Sequence, residues 1–260
     1  MRIACLVVAG AFAVLALYNL SILVPRMLSQ PGSLGVDFHQ VLDQSRRWLS
    51  GGNYYLDRQL HGPYPWLGGE SLYPPPMALL VAPFVVLPDL AWWIIPLGLI
   101  GYSLVRSAPP AWAWPIIAAA IWYPRSLEIV LYGNPSMWAA GAVAAGTIWG
   151  WPALLVLLKP TLAPLALVGA TRRSWWVGLA VLGAISLALL PMWADYAKVV
   201  SGALQAWDQS LGYSLRDLPL VLVPLVAWLA GPHRPALSPS RAMRRLNTLV
   251  PRVRRDSGGS

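Results

Sequence analysis

The chain predicts an all-α protein: a polytopic bundle of about eight transmembrane helices with an amphipathic helix beside the membrane in its first outer loop. Three observations predict this. The sequence is 57% apolar and only 11% charged, too few polar groups to cover a soluble surface of this size. Its apolar runs approach or exceed the roughly 20 residues that a helix needs to cross a bilayer. It also holds 25 prolines and 15 tryptophans. Irregular backbone is not tolerated against lipid, so the prolines belong at span ends, kinks or protein-lined cavities, and the tryptophans at interfaces. The organisation that follows is a membrane domain over 1–230, with its first outer loop at 25–75, and a basic cytoplasmic tail at 231–260, expected to be disordered.

The first span runs from Ile3 to Val24, with Asn19 and Ser21 its most polar members. The length of the run and the lack of a small-residue cleavage site favour a retained anchor over a signal peptide, with its start in the cytoplasm. Residues 25–72 are then extracytoplasmic. Their arginines, Arg26, Arg46, Arg47 and Arg58, strain the positive-inside rule and imply something anionic to meet.

Within this loop Phe38, Val41, Leu42, Ser45, Trp48 and Leu49 recur at helical spacing. They give a helix over 38–50 one mainly apolar face, while Asp43, Gln44, Arg46 and Arg47 lie off it. Gly51-Gly52 is a stop signal. Asp37-Phe38-His39-Gln40 has the form of a capping box, which makes Asp37 the expected N-cap. Capping alone would account for this carboxylate. A general base at the membrane surface is the other reading.

Beyond Tyr73-Pro74-Pro75-Pro76 come the apolar runs Met77 to Leu87, Leu90 to Val105, Ala111 to Tyr123, Pro135 to Gly150, Pro152 to Ala170, Trp175 to Trp193 and Leu218 to Ala230. Many are shorter than a full crossing, so tilted, broken or re-entrant segments are expected. Counting each run as one crossing puts both termini and Arg172-Arg173 in the cytoplasm, Arg106 outside and Gly133-Asn134 inside. If 76–105 is one kinked span, the last two assignments reverse. Trp149/Trp151 and Trp175/Trp176 read as interface anchors. Asp195, Asp208 and Asp217 fall in an outer segment at 194–217 and read as solvated.

Lys159 is the only charge inside the run 152–170. At mid-membrane a lysine costs about 2.5–3.5 kcal/mol on insertion scales, so it calls for a wet or charged cavity unless it snorkels to an interface. Pro160 and Pro164 break the same segment, a combination that suits a phosphate site. The lone Cys5 excludes an internal disulfide, and His39, His61 and His233 have no ligand spacing. Asp37, Asp43 and Glu70 offer oxygen ligands without a metal-binding pattern. The net charge of +9 is concentrated in the tail, where seven arginines face one acid, Asp256. That tail implies contact with anionic membrane lipids on the cytoplasmic side. Nothing in the chain supports nucleic-acid binding.

Taken in order, Asp37-Phe38, Gly51-Gly52-Asn53-Tyr54-Tyr55, Tyr73-Pro74-Pro75 leading into Ala78-Leu79-Leu80-Val81-Ala82-Pro83, Gly133-Asn134-Pro135, Leu158-Lys159-Pro160-Thr161 and Arg172-Arg173-Ser174-Trp175 form a pattern. Over roughly residues 30–180 it resembles the GT-C-type membrane glycosyltransferases, most closely the actinobacterial polyprenol-phosphate-mannose-dependent α-mannosyltransferases. The resemblance implies a multi-pass cell-membrane enzyme with its site on the extracytoplasmic side. It would move a hexose, mannose by the same resemblance, from a polyprenyl-phosphate lipid donor to a glycan or glycolipid acceptor.

Asp37 matches the family's base. Lys159, Arg46 and Arg58 are the candidate donor-phosphate ligands by charge, and Tyr55, Tyr73 and Asn134 the candidate cavity lining. No cofactor is implied beyond the lipid-linked sugar, and the need for a divalent metal is left open. Asn134 stands where family members usually have glutamine, and the chain ends earlier than theirs. These departures raise the alternative of a catalytically degenerate scaffold in envelope synthesis.

Overall fold

A computed structural model describes residues 1–30, 32–62, 72–206 and 215–232. Every regular element among them is helical. The α-helices are α1 (Arg2–Leu28), α2 (Val36–Leu49), α3 (Asp57–Leu60), α4 (Met77–Val81), α5 (Ala91–Ser107), α6 (Trp114–Trp122), α7 (Pro124–Tyr132), α8 (Ser136–Trp149), α9 (Arg173–Ala188), α10 (Leu190–Ala206) and α11 (Leu218–Ala230). Two 3-10 stretches, Trp151–Leu158 and Pro160–Gly169, lie between α8 and α9. The basic tail from 233 on, with His233, as well as Asp208 and Glu70, lies outside the described residues.

Helix α8 is the centre. Apart from Trp138, it is buried from Ser136 to Thr147, because α5, α11 and both 3-10 stretches pack around it. Its alanines and glycines permit the close approach. A Cβ at Gly141 would come within 2.9 Å of Pro96 in α5, and one at Gly146 within 2.6 Å of Ala153. Small residues at helix contacts are the usual solution where burial from water does not drive association.

The run 152–170 does not continue as one rod. It doubles back at Lys159-Pro160 into a hairpin whose 3-10 arms lie side by side. Proline disfavours the helical region for the residue before it, and Lys159 accordingly sits at φ −123°, ψ 85°. The arms close at the base, where a Cβ on Gly169 would fall 2.4 Å from the Gly150 carbonyl oxygen. Reading this run as one straight crossing with a mid-span lysine is therefore corrected: Lys159 is the apex of a hairpin.

The run from Met77 to Leu87 is likewise not a traverse of the bundle. Its nine helical residues, α4 and the 3-10 turn Ala82–Val85, pack on α2. Helix α5 is then the next full-length element, and it carries Arg106 to the end opposite Asp37. At that opposite end Arg2 and Cys5 line a hollow with Pro109, Pro110 and Trp112, Gly231 packs against Ser107, and Arg172 binds the last carbonyls of α8. Arg106 and Gly133-Asn134 thus lie at opposite ends of α5, since Trp92 in its first turn holds the Gly133 carbonyl.

Among the described residues one helix, α1, is long and apolar enough by itself to cross a membrane. Helices α9 and α10 would together be a second, but they meet at an 84° bend. Helix α10 therefore lies across the Asp37 end, where α3 packs on it and Tyr196 stacks on Tyr55 at 6.2 Å between ring centres. Trp175 is not an interface anchor: it is buried, and its indole donates to the Ala166 carbonyl at 2.7 Å. Trp149, Trp151 and Trp176 are about half exposed or more.

Candidate functional site at the converging helix starts

The site is assembled from the first residues of four helices. Helix α2 begins after Gly35, whose left-handed conformation (φ 72°) makes it the N-cap. Asp37 is thus the second helical residue and bonds to no backbone group of its own helix, which corrects the capping-box expectation. Its carboxylate turns instead to Asn134. The amide Nδ2 of Asn134 donates to Asp37 Oδ2 at 2.6 Å, across 97 residues of chain.

Phe38 anchors this start. It is fully buried, stacked on Trp92 at 5.0 Å and edge-on to Trp93 at 5.4 Å. The two indoles fasten the α7–α8 turn by donating to the Gly133 carbonyl at 2.8 Å and the Val130 carbonyl at 2.7 Å. Gly133 has to be glycine. Its φ is +66°, and a Cβ there would lie 2.9 Å from both Phe38 and Trp93. The Asn134 N–H donates back to the Ile129 carbonyl at 2.9 Å, closing α7 in the manner of a Schellman turn. Turn chemistry therefore explains Gly133 and Pro135 but not the reach of the Asn134 amide.

Behind Asn134 the contacts continue inward. Its Oδ1 accepts from the Ser136 backbone N–H at 2.9 Å and faces the Ser136 hydroxyl at 2.7 Å. Ser136 Oγ also lies 2.6 Å from Asp217 Oδ2. Lys159 at the hairpin apex donates to both Ser136 Oγ and Asp217 Oδ2. Arg125, in the first turn of α7, donates from Nε to Asp217 Oδ1 at 2.9 Å and from Nη1 to Glu128 Oε2 at 3.4 Å.

Asp217 is 0% exposed at its side chain, Lys159 11% and Arg125 14%. The expectation that Asp217 is a solvated loop acid is overturned. It ends the segment before α11 and enters the core because two cations and a hydroxyl meet it there.

These surroundings separate the two acids. Burial lifts the Asp37 carboxyl above the ordinary aspartate range, outweighing the Asn134 hydrogen bond and the charges of Arg125 and Lys159. At Asp217 burial pushes the same way, but Lys159, Ser136 and Arg125 together outweigh it, and that carboxyl is held below the ordinary range. One acid is a fixed anion inside a cation pair. The other sits partly exposed and closer to neutral pH, a suitable state for taking up a proton.

Of the other candidates, Tyr73 lines a cleft with Met77, Trp138, Leu158 and Lys159, which leaves about 10 Å³ for the centre of a water molecule, room for one at most. Tyr55 is buried and donates its hydroxyl to the Tyr73 carbonyl at 2.8 Å, so it holds the wall of that cleft. Arg46 is half exposed and 3.3 Å from Asp43, nine residues along α2 from Asp37, about 13 Å at helical rise. Arg58 is exposed on α3, which packs on α10. His39 is exposed, 3.4 Å from Asp89. Among the described residues no group of three or more His, Cys, Asp or Glu side chains is placed to hold a metal ion.

Sequence reasoning missed Arg125, Ser136 and Asp217. Arg125 and Ser136 directly follow a proline at the start of a helix, Pro124 and Pro135, and Asp217 stands two residues before Pro219 in the first turn of α11. Proline in a first turn is a start signal. Polar residues at successive starts on the same side of a bundle were the available clue. Comparison with family models, with curated proteins and with solved structures finds no match for this chain.

Proposed function

We propose that the chain is a multi-pass membrane glycosyltransferase that moves a hexose from a polyprenyl-phosphate donor to a hydroxyl of an extracytoplasmic glycan or glycolipid, with Asp37 as general base. The single observation that carries the reading is the meeting of Asp37 and Lys159, through Asn134 and Ser136, at one end of the bundle. The ordered motifs over residues 30–180 and their resemblance to lipid-phosphosugar-dependent mannosyltransferases point the same way.

In this reading α1 crosses the membrane, the shorter apolar helices α5, α6, α8, α9 and α11 run between the same two ends of the bundle, and the Lys159 hairpin enters from the cytoplasmic side. Exposed apolar side chains support it, among them Ile3, Val7, Val14 and Leu17 on α1 and Val177, Val181 and Leu187 on α9. So does charge: Arg2, Arg106, Arg172 and Arg173 fall at the end from which the basic tail leaves.

The chemistry asked of the protein is modest. A phosphate leaves readily, so the main task is removal of the acceptor hydroxyl's proton as it attacks the anomeric carbon. A carboxylate in hydrogen-bond reach supplies typically 10²–10⁴-fold by this means. The test is transfer from radiolabelled polyprenyl-phosphate mannose in membranes carrying Asp37→Asn. A fall of that order is expected, and transfer at the wild-type rate removes Asp37 from the mechanism. Because the base must be ionised and its pKa lies above the ordinary range, wild-type transfer should fall as pH drops through that raised value.

A second reading, a non-catalytic scaffold of the same ancestry, is favoured by one observation. Lys159 and Arg125 are already paired with Asp217, and the adjoining cleft admits one water at most. Photocrosslinking with a polyprenyl-phosphate analogue separates the two, since a scaffold has no reason to place that lipid beside Lys159.

A further inference from the structure

We infer that Asn134 is a positioning residue for Asp37: its amide, held in one orientation by Ser136, keeps the carboxylate aimed. The inference deepens the general-base reading and rests on it.

An asparagine amide can flip, presenting either an acceptor or a donor to its neighbour. Here it cannot do so freely. The Ser136 backbone N–H is only a donor, and it meets one end of the amide at 2.9 Å, so that end is the oxygen. The NH2 end then faces Asp37 at 2.6 Å, where a carboxylate accepts and a flipped amide would set oxygen against oxygen. Ser136 is itself fixed. It is fully buried at the first position of α8, and its hydroxyl accepts from Lys159 while its single proton serves Asp217 or Asn134. The orientation of an amide beside the partly exposed acid is therefore set by the Ser136 backbone N–H, and the Ser136 hydroxyl links it to the charge cluster behind.

The other charges facing Asp37 are Arg125 from α7, Lys159 from the hairpin and Asp217 before α11, two cations against one anion. Helix α7 also carries Glu128, paired with Arg125, and Tyr132. On α2 itself are His39, Asp43, Arg46 and Arg47. Helix α4 and Ala82–Val85, also packed on α2, have no titratable side chain. Among the described residues, the Asn134 amide makes the one side-chain hydrogen bond to the Asp37 carboxylate. Hydrogen bonds to the charged form lower a carboxyl's pKa, and losing this one moves the equilibrium toward the protonated acid.

The test is isotope-edited infrared titration of the full chain in nanodiscs, with ¹³C-carboxyl aspartate and Asp37→Asn used to identify the Asp37 band. Asn134→Ala should move the Asp37 titration up by about one pH unit, a tenfold change in proton affinity. Asn134→Gln, which retains the amide, should recover part of it, and Ser136→Ala should shift it the same way by less. An Asp37 titration unchanged in Asn134→Ala overturns the inference.

If Asn134→Ala does not fold, Asn134→Asp is the second variant. It places a carboxyl against Asp37, and the pair should then titrate in two separated steps; a single unshifted step is the overturning result. Because the readout is the carboxyl band, it stands whether or not sugar transfer is found. Transfer surviving in Asp37→Asn defeats the glycosyltransferase mechanism and leaves the infrared result to be judged alone.

Discussion

The two ends of the bundle are held together by different bonds. At the hairpin base, side chains fasten backbone. Arg172 donates to the carbonyls of Ile148 and Thr147, Ser174 to that of Trp149 at 2.6 Å, and Gly150 and Gly169 touch without side chains between them. Arg172 thereby caps the C-terminus of α8, where free carbonyls and the helix dipole both favour a cation. At the Asp37 end side chains bind one another, and most are charged or able to carry a proton. Backbone clamps hold one geometry. A network of side chains with shared protons can change its charge state in place, and that difference marks the Asp37 end as the one suited to chemistry.

The Asp37 end is most vulnerable at Asp217. Asp217→Asn leaves Arg125 and Lys159 mostly buried without their shared counter-charge, and removing one partner of such a cluster costs about 3–5 kcal/mol. Thermal unfolding in detergent should show a loss of that size, with Asp217→Asn/Lys159→Met milder than Asp217→Asn alone. The pH sign is determined as well. The Asp217 carboxyl lies lower in the folded chain than its ordinary 3.8. Its contribution is thus complete above that value and disappears as pH falls through the folded one. The acid limb of wild-type stability should flatten in Asp217→Asn.

At the other end Gly169→Ala should cost about 1–3 kcal/mol by overpacking against Gly150, and should leave the Asp37 titration where it is. A shift in that titration would show that the two ends are coupled through the hairpin. The smallest effect is expected at Arg46→Gln. The side chain is half exposed and its partner Asp43 more so, and exposed pairs of this kind contribute about 0–1 kcal/mol. A large loss of transfer without loss of stability in Arg46→Gln would bring α2's outer face into the site after all.

Much of the helical plan was legible in the chain. The apolar runs correspond to helices, the stripe from Phe38 to Trp48 to the packed face of α2, and Gly133-Asn134-Pro135 to a helix stop followed at once by a start. Within α2 the reading failed at Gln44, which lies off the stripe yet is buried, and at Leu49, which lies on it yet is exposed. It failed again for Asp37 as a cap. Local pattern ranks a carboxylate at a helix start as a partner for its own backbone, and a distant amide is invisible to it.

By itself the sequence determined an apolar, all-helical chain with a polar first loop, a break at Lys159-Pro160 and a short roster of polar residues beside prolines. Those are consequences of local chemistry: side-chain transfer cost, proline's missing N–H and glycine's freedom of φ. Only the tertiary structure decided that 152–170 folds back on itself and that Asp217 is an interior anion. It alone decided that Arg125 accompanies Lys159 at the site. The partners in each case come from different helices, and a buried charge is tolerated only where the packing delivers its opposite.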